Sequence, residues 1–275
     1  MRDDEEESRL ILFRRELRKN LKPLLIWSAA LSALILIMMS VFTQMAKEAE
    51  LLEQLTAAFP EGMLKVFGMD TLNMADVLGF YGVEVYSMTT LFGSIYAAIL
   101  ASGILSKEQS EKTIEFLLSK PVTRTRILTE KLAAALLYVV IFNLVIIVVS
   151  AISFLMIQSQ EVDWSRFMLL SLAQLLLHAA FAAAGFFLSS IMNRSRTILP
   201  VSLGLVMVLY FVFVAANLSD SLSFLLYITP FHYVDAADIL ESGTLNVLSV
   251  TVIPLILLIG TGSAYVIYRR RDISV

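Results

Sequence analysis

The chain has 275 residues, of which 58% are hydrophobic and 16% charged, with a formal net charge of −3. A soluble domain of this size has too little interior to hide so much apolar surface, so the composition points to a lipid bilayer. Cysteine is absent, which excludes disulfides, thiolate metal sites and cysteine nucleophiles.

Residues 1–9 form an acidic, polar tail containing Asp3, Asp4, Glu5, Glu6 and Glu7, a composition expected to stay solvated. From 9 to 22, Leu10, Phe13, Leu17 and Leu21 recur at helical spacing with Arg14, Arg15, Arg18 and Lys19 between them. An apolar face beside a basic face suits the lipid headgroup layer. The pattern predicts an amphipathic interfacial helix, with Pro23 marking the turn into the first span. Residues 1–23 are therefore read as a cytoplasmic tail and interfacial helix, and 24–275 as one membrane-embedded domain.

Six windows free of Asp, Glu, Lys and Arg follow: Leu24–Met45, Val85–Leu105, Leu132–Ile157, Phe167–Met192, Thr197–Ala216 and Val247–Tyr268. Each is long enough for ~30 Å of hydrocarbon, which takes roughly 20 residues. Each has to be a helix, because lipid cannot satisfy an open backbone. The first window is 22 residues long, beyond the apolar core of a cleaved signal peptide, and is read as a permanent span.

Of the 21 Lys and Arg, all but Lys47, Lys65 and Arg166 fall on one side of these windows. Cytoplasmic segments carry such an excess. The prediction is an all-α integral membrane protein with six transmembrane helices and both termini in the cytoplasm.

In the first outer loop, 46–84, Leu51, Leu52, Leu55 and Ala58 suggest a short helix that stops before Pro60. Met63, Leu64, Phe67 and Met69 suggest another that ends near Gly68, and Gly79 and Gly82 read as breaks before span two. The last outer loop, 217–246, has an apolar stretch, Phe224–Ile228, then Pro230, then Asp235, Asp238 and Glu241. Two short helices capping the spans are expected there.

Between spans two and three, Ser106 and Gln109 fit the capping box of a helix start. Ile114, Leu117 and Leu118 form an apolar patch one turn long, with Glu108, Glu111, Lys112 and Glu115 on the other faces. Pro121 ends this helix, and a polar stretch leads through Arg124 and Arg126 to span three. A small apolar knob among charges suits docking into a groove on a soluble partner. It equally suits a stiff connector resting on headgroups.

This segment resembles the signature of type-2 ATP-binding-cassette (ABC) transporter permeases, roughly Glu-x-x-x-Gly-Thr-(Ile/Leu)-Glu-x-Leu-Leu-x-x-Pro-(Val/Leu)-(Ser/Thr)-Arg with a Lys opening the third span. Glu108, Thr113, Ile114, Glu115, Leu117, Leu118, Pro121, Val122, Thr123, Arg124 and Lys131 match, while Lys112 stands where Gly is common. Thr229-Pro230-Phe231-His232-Tyr233, with Asp235 after it, is a second resemblance.

The resemblance implies a permease in the cell membrane that works as a homodimer or heterodimer with a separate cytoplasmic ATPase subunit and usually moves its cargo outward. It makes 106–121 a cytoplasmic coupling helix region and assigns ATPase coupling to Glu108, Glu111, Thr113, Ile114, Glu115, Leu117, Leu118, Pro121 and Arg124. The chain has no Gly-x-x-x-x-Gly-Lys-Ser/Thr phosphate loop. ATP and Mg are therefore expected on the ATPase, no cofactor on this chain, and no nucleic acid among its partners.

His178 is the one ionisable side chain placed well inside a window, with Gln174 a turn earlier on the same face and Asn143 in span three. Such residues mark a transport pathway or tie helices together by hydrogen bonds. An ion-coupled carrier usually needs buried carboxylates or a relay, and the windows offer only His178. An intramembrane zinc protease needs His-Glu-x-x-His, and the only histidines are His178 and His232. A non-transporting membrane anchor of a sensing or immunity complex stays open. Small residues at Gly93, Ala97 and Ala101, and at Ala180 and Ala184, form ladders that allow close helix packing inside one subunit or across a dimer.

Overall fold

The computed structural model describes residues 11–45, 48, 58–110, 123–157, 160–192 and 195–270, and among these the chain is helical without a strand. Six helices are long and apolar enough to cross a membrane. Span one lies in the helix Ile11–Met45. Span two, Val77–Leu105, strings together Val77–Phe80, a π-helical stretch Tyr81–Tyr86, and Ser87–Ser110. Spans three to six lie in Arg124–Met156, Trp164–Ile191, Ser195–Leu218 and Val247–Arg270.

Spans two and four form the centre. Their apolar windows are 78% and 61% buried, against 17% and 11% for spans five and six, which leave most of their surface to lipid. Span four packs against two, three and six, span one against three, and span five against two.

The central pair approaches closely because its facing residues are small. Gly93 of span two lies under His178 of span four, and Gly185 of span four lies against Ala98 of span two, which is itself fully buried. The span-two ladder, Gly93, Ala97 and Ala101, is therefore buried within one subunit, whereas Ala184 of the span-four ladder is only half-buried. Lipid tails are as apolar as the side chains, so this contact draws on van der Waals packing and polar ties rather than on a hydrophobic drive.

Two local expectations change. Pro23 sits inside a continuous helix rather than at a turn. One face of that helix, Glu16, Asn20, Leu24, Leu31, Ile35, Met39 and Phe42, is buried along its whole length. The helix thus continues through a proline while its packed face stays buried, as proline is tolerated in membrane helices beside neighbouring helices. Glycines 79 and 82 do not break span two, which starts at Val77 rather than Val85. Asp76 caps its first turn, its carboxylate accepting from the Leu78 and Gly79 N–H groups at 3.1 and 3.0 Å. A Cβ at position 79 would lie 2.1 Å from the Asn73 carbonyl oxygen, so Gly79 serves close backbone approach rather than a chain break.

The short helices between spans largely follow the sequence. Glu61–Phe67 ends at Gly68 in the left-handed conformation, φ 69°, and Ala236–Ser242 ends at Gly243, φ 64°. Two 3₁₀ segments, Asp220–Ile228 and His232–Val234, precede the latter. The helix expected at Leu51–Ala58 falls almost wholly outside the described residues.

A Cβ on Gly185 would lie 2.3 Å from the Ala98 carbonyl oxygen, whereas one on Gly204 would meet nothing within 4 Å. Gly185→Ala forces spans two and four apart and lowers stability by about 1–3 kcal/mol, read as a lower thermal midpoint in detergent. Gly204→Ala leaves the midpoint unchanged.

Candidate functional site

The sequence pointed to the connection between spans two and three. Glu111, Thr113, Ile114, Glu115, Leu117, Leu118 and Pro121 lie outside the described residues, as does the side chain of Glu108. What the structure shows is how both roots of this connection are held. Ser106 and Gln109 do not open a new helix, because span two's helix runs on to Ser110. Span three's helix begins at Arg124, eight residues before its apolar window, with the Thr123 hydroxyl accepting from the Arg126 N–H at 3.3 Å.

Lys131 is the centre of the arrangement and is fully buried. Its Nζ donates to Glu16 Oε1 at 2.8 Å and to the Ile104 carbonyl oxygen at 2.7 Å. One ammonium thus joins the last turns of span two, the first turns of span three and the N-terminal helix. Asn20 Nδ2 donates to Glu16 Oε2 at 3.2 Å. Glu130 Oε2 accepts from the Phe13 N–H at 3.1 Å, and its Oε1 from Arg126 Nε at 2.8 Å. A carboxylate at the first turn of a helix satisfies an orphan N–H and complements the helix dipole. The Tyr138 hydroxyl donates to the Leu17 carbonyl oxygen. Thr129 and Tyr265 hydroxyls meet at 2.7 Å, drawing in span six.

Sequence reasoning missed Glu16 and Asn20 because it followed the apolar stripe of the N-terminal helix. The available signal was the spacing Glu16, Asn20, Leu24, which continues directly into the buried face of span one.

The second cluster lies within the bundle. Asn143, Gln174 and His178, from spans three and four, are all buried. His178 Nδ1 lies 3.1 Å from Asn143 Oδ1, and Nε2 lies 3.3 Å from the Thr90 carbonyl oxygen. Asn143 Nδ2 is committed to the Val139 carbonyl oxygen at 2.8 Å, which turns its oxygen toward the imidazole. Both ring nitrogens therefore face acceptors. A neutral imidazole donates from one nitrogen only, so it serves one of these two acceptors at a time. Gln174 does not join the imidazole. Its Oε1 accepts from the Thr89 hydroxyl at 3.3 Å, and its Nε2 has no hydrogen-bond partner among the described residues. Ser171 bonds within its own helix, to the Phe167 carbonyl oxygen.

This network links three spans and leans on one glycine. A Cβ at Gly93 would lie 2.2 Å from His178 Cε1 and 2.4 Å from Nε2. The first residue of the small-residue ladder therefore makes room for the imidazole rather than for another backbone.

The sequence model of the family described as "ABC-2 family transporter protein" matches residues 10–273, and the chain belongs to that family as a multi-pass ABC transporter permease. No curated protein matches it.

Two expectations follow from these clusters. Lys131→Met leaves the Glu16 carboxylate buried without its cation and costs about 3–5 kcal/mol. The double variant Glu16→Gln/Lys131→Met recovers most of that loss, as a thermal-unfolding cycle in detergent would show. Gly93→Ala displaces the imidazole and costs about 1–3 kcal/mol. Adding His178→Ala opens the space for the new methyl, so the double variant is more stable than Gly93→Ala alone.

Proposed function

With family membership as the premise, we propose that this chain is the membrane-spanning subunit of an exporter driven by a separate ATPase. The ATPase docks on the 106–121 segment, and ATP and Mg reside on that partner. The chain pairs with a second permease copy, identical or related, in the cell membrane, with both termini in the cytoplasm. The skew of Lys and Arg supports this orientation.

The observation that carries the reading is the pair of hydrogen bonds that Lys131 donates, one to Glu16 and one to the Ile104 carbonyl oxygen. A segment that passes motion to helices needs stiff roots, and a load between them has to reach more than one span. Here a single buried ammonium ties both roots and the N-terminal helix. A push on 106–121 is therefore delivered to spans one, two and three together. Span two, the most buried of the six, carries it to the Asn143, Gln174 and His178 cluster, where a change in the packing of spans two, three and four would be felt.

In this scheme the site residues have separate roles. Ile114, Leu117 and Leu118 supply the apolar knob for the ATPase groove. Glu108, Glu111, Glu115 and Arg124 supply charge around it, and Thr113 and Pro121 flank it in sequence. Asn143, Gln174 and His178 hold three spans in register while they move.

Leu118→Asp places a charge in the knob and abolishes permease-stimulated ATP hydrolysis by the co-purified ATPase subunit, while the permease itself still folds. Stimulation at the unmodified level would contradict docking through this segment. A tag inserted beside residue 115 is reachable only after the cells are opened. Labelling in intact cells would reverse the proposed orientation.

A further inference from the structure

At the end of the bundle away from the chain termini, a cavity of about 40 Å³ opens between span two, span five and the turn that carries Phe231. Phe67, Tyr86, Tyr210, Phe213 and Phe231 line it together with Asp235. The rings are fixed before any ligand arrives. The Tyr86 hydroxyl is spent on the Val234 carbonyl oxygen at 2.9 Å. The Phe231 ring is held between Tyr210 and Phe181, with centroids 5.4 and 5.3 Å away.

Asp235 has the opposite problem from Lys131. It caps the helix Ala236–Ser242, its Oδ1 accepting from the Ala237 N–H at 2.9 Å. Among the described residues no Lys or Arg pairs with it. Burial pushes its carboxyl up to about 6, the neighbouring Asp238 and Asp70 carboxylates add to the rise, and the Ala237 N–H works against it. A larger cavity at the same end, about 330 Å³, also holds carboxylates but has Arg166 among them. The Asp235 cavity has aromatic faces and a carboxylate and, among the described residues, is lined by no Lys or Arg.

We propose that this cavity binds the primary ammonium head of an amphiphile, with Asp235 as its counter-ion and the surrounding rings as a cation–π wall. The volume selects the head. A water-sized position takes ~10–15 Å³, so about 40 Å³ admits a small ammonium head, and a primary ammonium has the N–H donors that the Asp235 carboxylate can accept. The surroundings select the tail. Leu222, Phe224, Tyr227 and Ile228, on the 3₁₀ segment just before Phe231, are exposed and offer an apolar surface beside the mouth. The ammonium comes from an amine-headed lipid or from a free amphiphilic amine. The inference goes beyond the transport reading, since binding is measured without ATPase or cargo, and either can fail without the other.

The test uses the full chain in nanodiscs. In discs of phosphatidylcholine alone, octylamine is titrated against octanol by calorimetry. In discs with equal phosphatidylethanolamine and phosphatidylcholine, native mass spectrometry counts the lipids retained. Asp235→Asn keeps the helix cap, because Asn caps as well as Asp, but loses the charge. Tyr210→Leu keeps Asp235 and removes one ring.

We expect saturable octylamine binding or selective retention of phosphatidylethanolamine, weakened about tenfold in Asp235→Asn and less in Tyr210→Leu. The first result names a free amine as the source, the second a lipid. Octylamine binding also weakens as pH falls from about 7.5 to about 5, where Asp235 takes up a proton beside Asp70, Asp238 and Tyr86. Equal affinity for octanol and octylamine together with no preference for phosphatidylethanolamine, or Asp235→Asn behaving as the unmodified chain in both arms, overturns the proposal.

Discussion

A charge taken out of water at the edge of a bilayer has to be paired, and Lys131 meets that demand by joining three helices. The ammonium reaches Glu16 and the Ile104 carbonyl oxygen at once, so neither the N-terminal helix nor the end of span two can move away without stranding a buried charge. Because removing one partner of such a pair costs far more than the pair contributes, the arrangement fixes geometry more than it adds stability. The other ties at this end fall into place around it. Glu130 holds the first turn of the N-terminal helix, and Tyr138 reaches the same helix one turn further on.

The interior of the bundle is governed by a related constraint. Lipid offers no hydrogen bonds, and it offers no hydrophobic reward for bringing apolar helices together. Spans two and four therefore meet through small residues, and the few polar side chains between them find one another. Gly93 under the imidazole and Gly185 against Ala98 are the same device used twice. In each case a missing side chain lets a polar group or a backbone approach within contact distance. The result is a dense central pair, with spans one, five and six leaving broad apolar faces outward.

The two ends of the bundle differ in how they treat charge. At the end that carries the termini, acids and bases are interleaved, with Lys131 paired to Glu16 and Arg126 to Glu130. At the opposite end carboxylates dominate, and Asp235 shares a cavity with several aromatic rings and, among the described residues, with no Lys or Arg. One end is closed by its own charges, while the other leaves a negative group to be matched by something from outside the chain.

Sequence alone determined the six spans, the residues flanking them and the helix end at Gly68. Hydrophobic length, charge asymmetry and the left-handed cap are local properties, each readable within about 20 residues. It also marked Asn143, Gln174 and His178 as polar groups in apolar surroundings. Only the tertiary structure decided which of them meet. His178 finds Asn143 and the Thr90 carbonyl, while Gln174 turns to Thr89. The continuation of the helix through Pro23, the burial of Glu16 and the aromatic residues that share a cavity with Asp235 were likewise hidden. Each depends on a neighbour far along the chain, 115 residues away in the case of Glu16 and Lys131. A periodic pattern can show that a helix has two faces, but which face is buried is settled by the partner that needs it, and here a buried ammonium outranked a stripe of leucines.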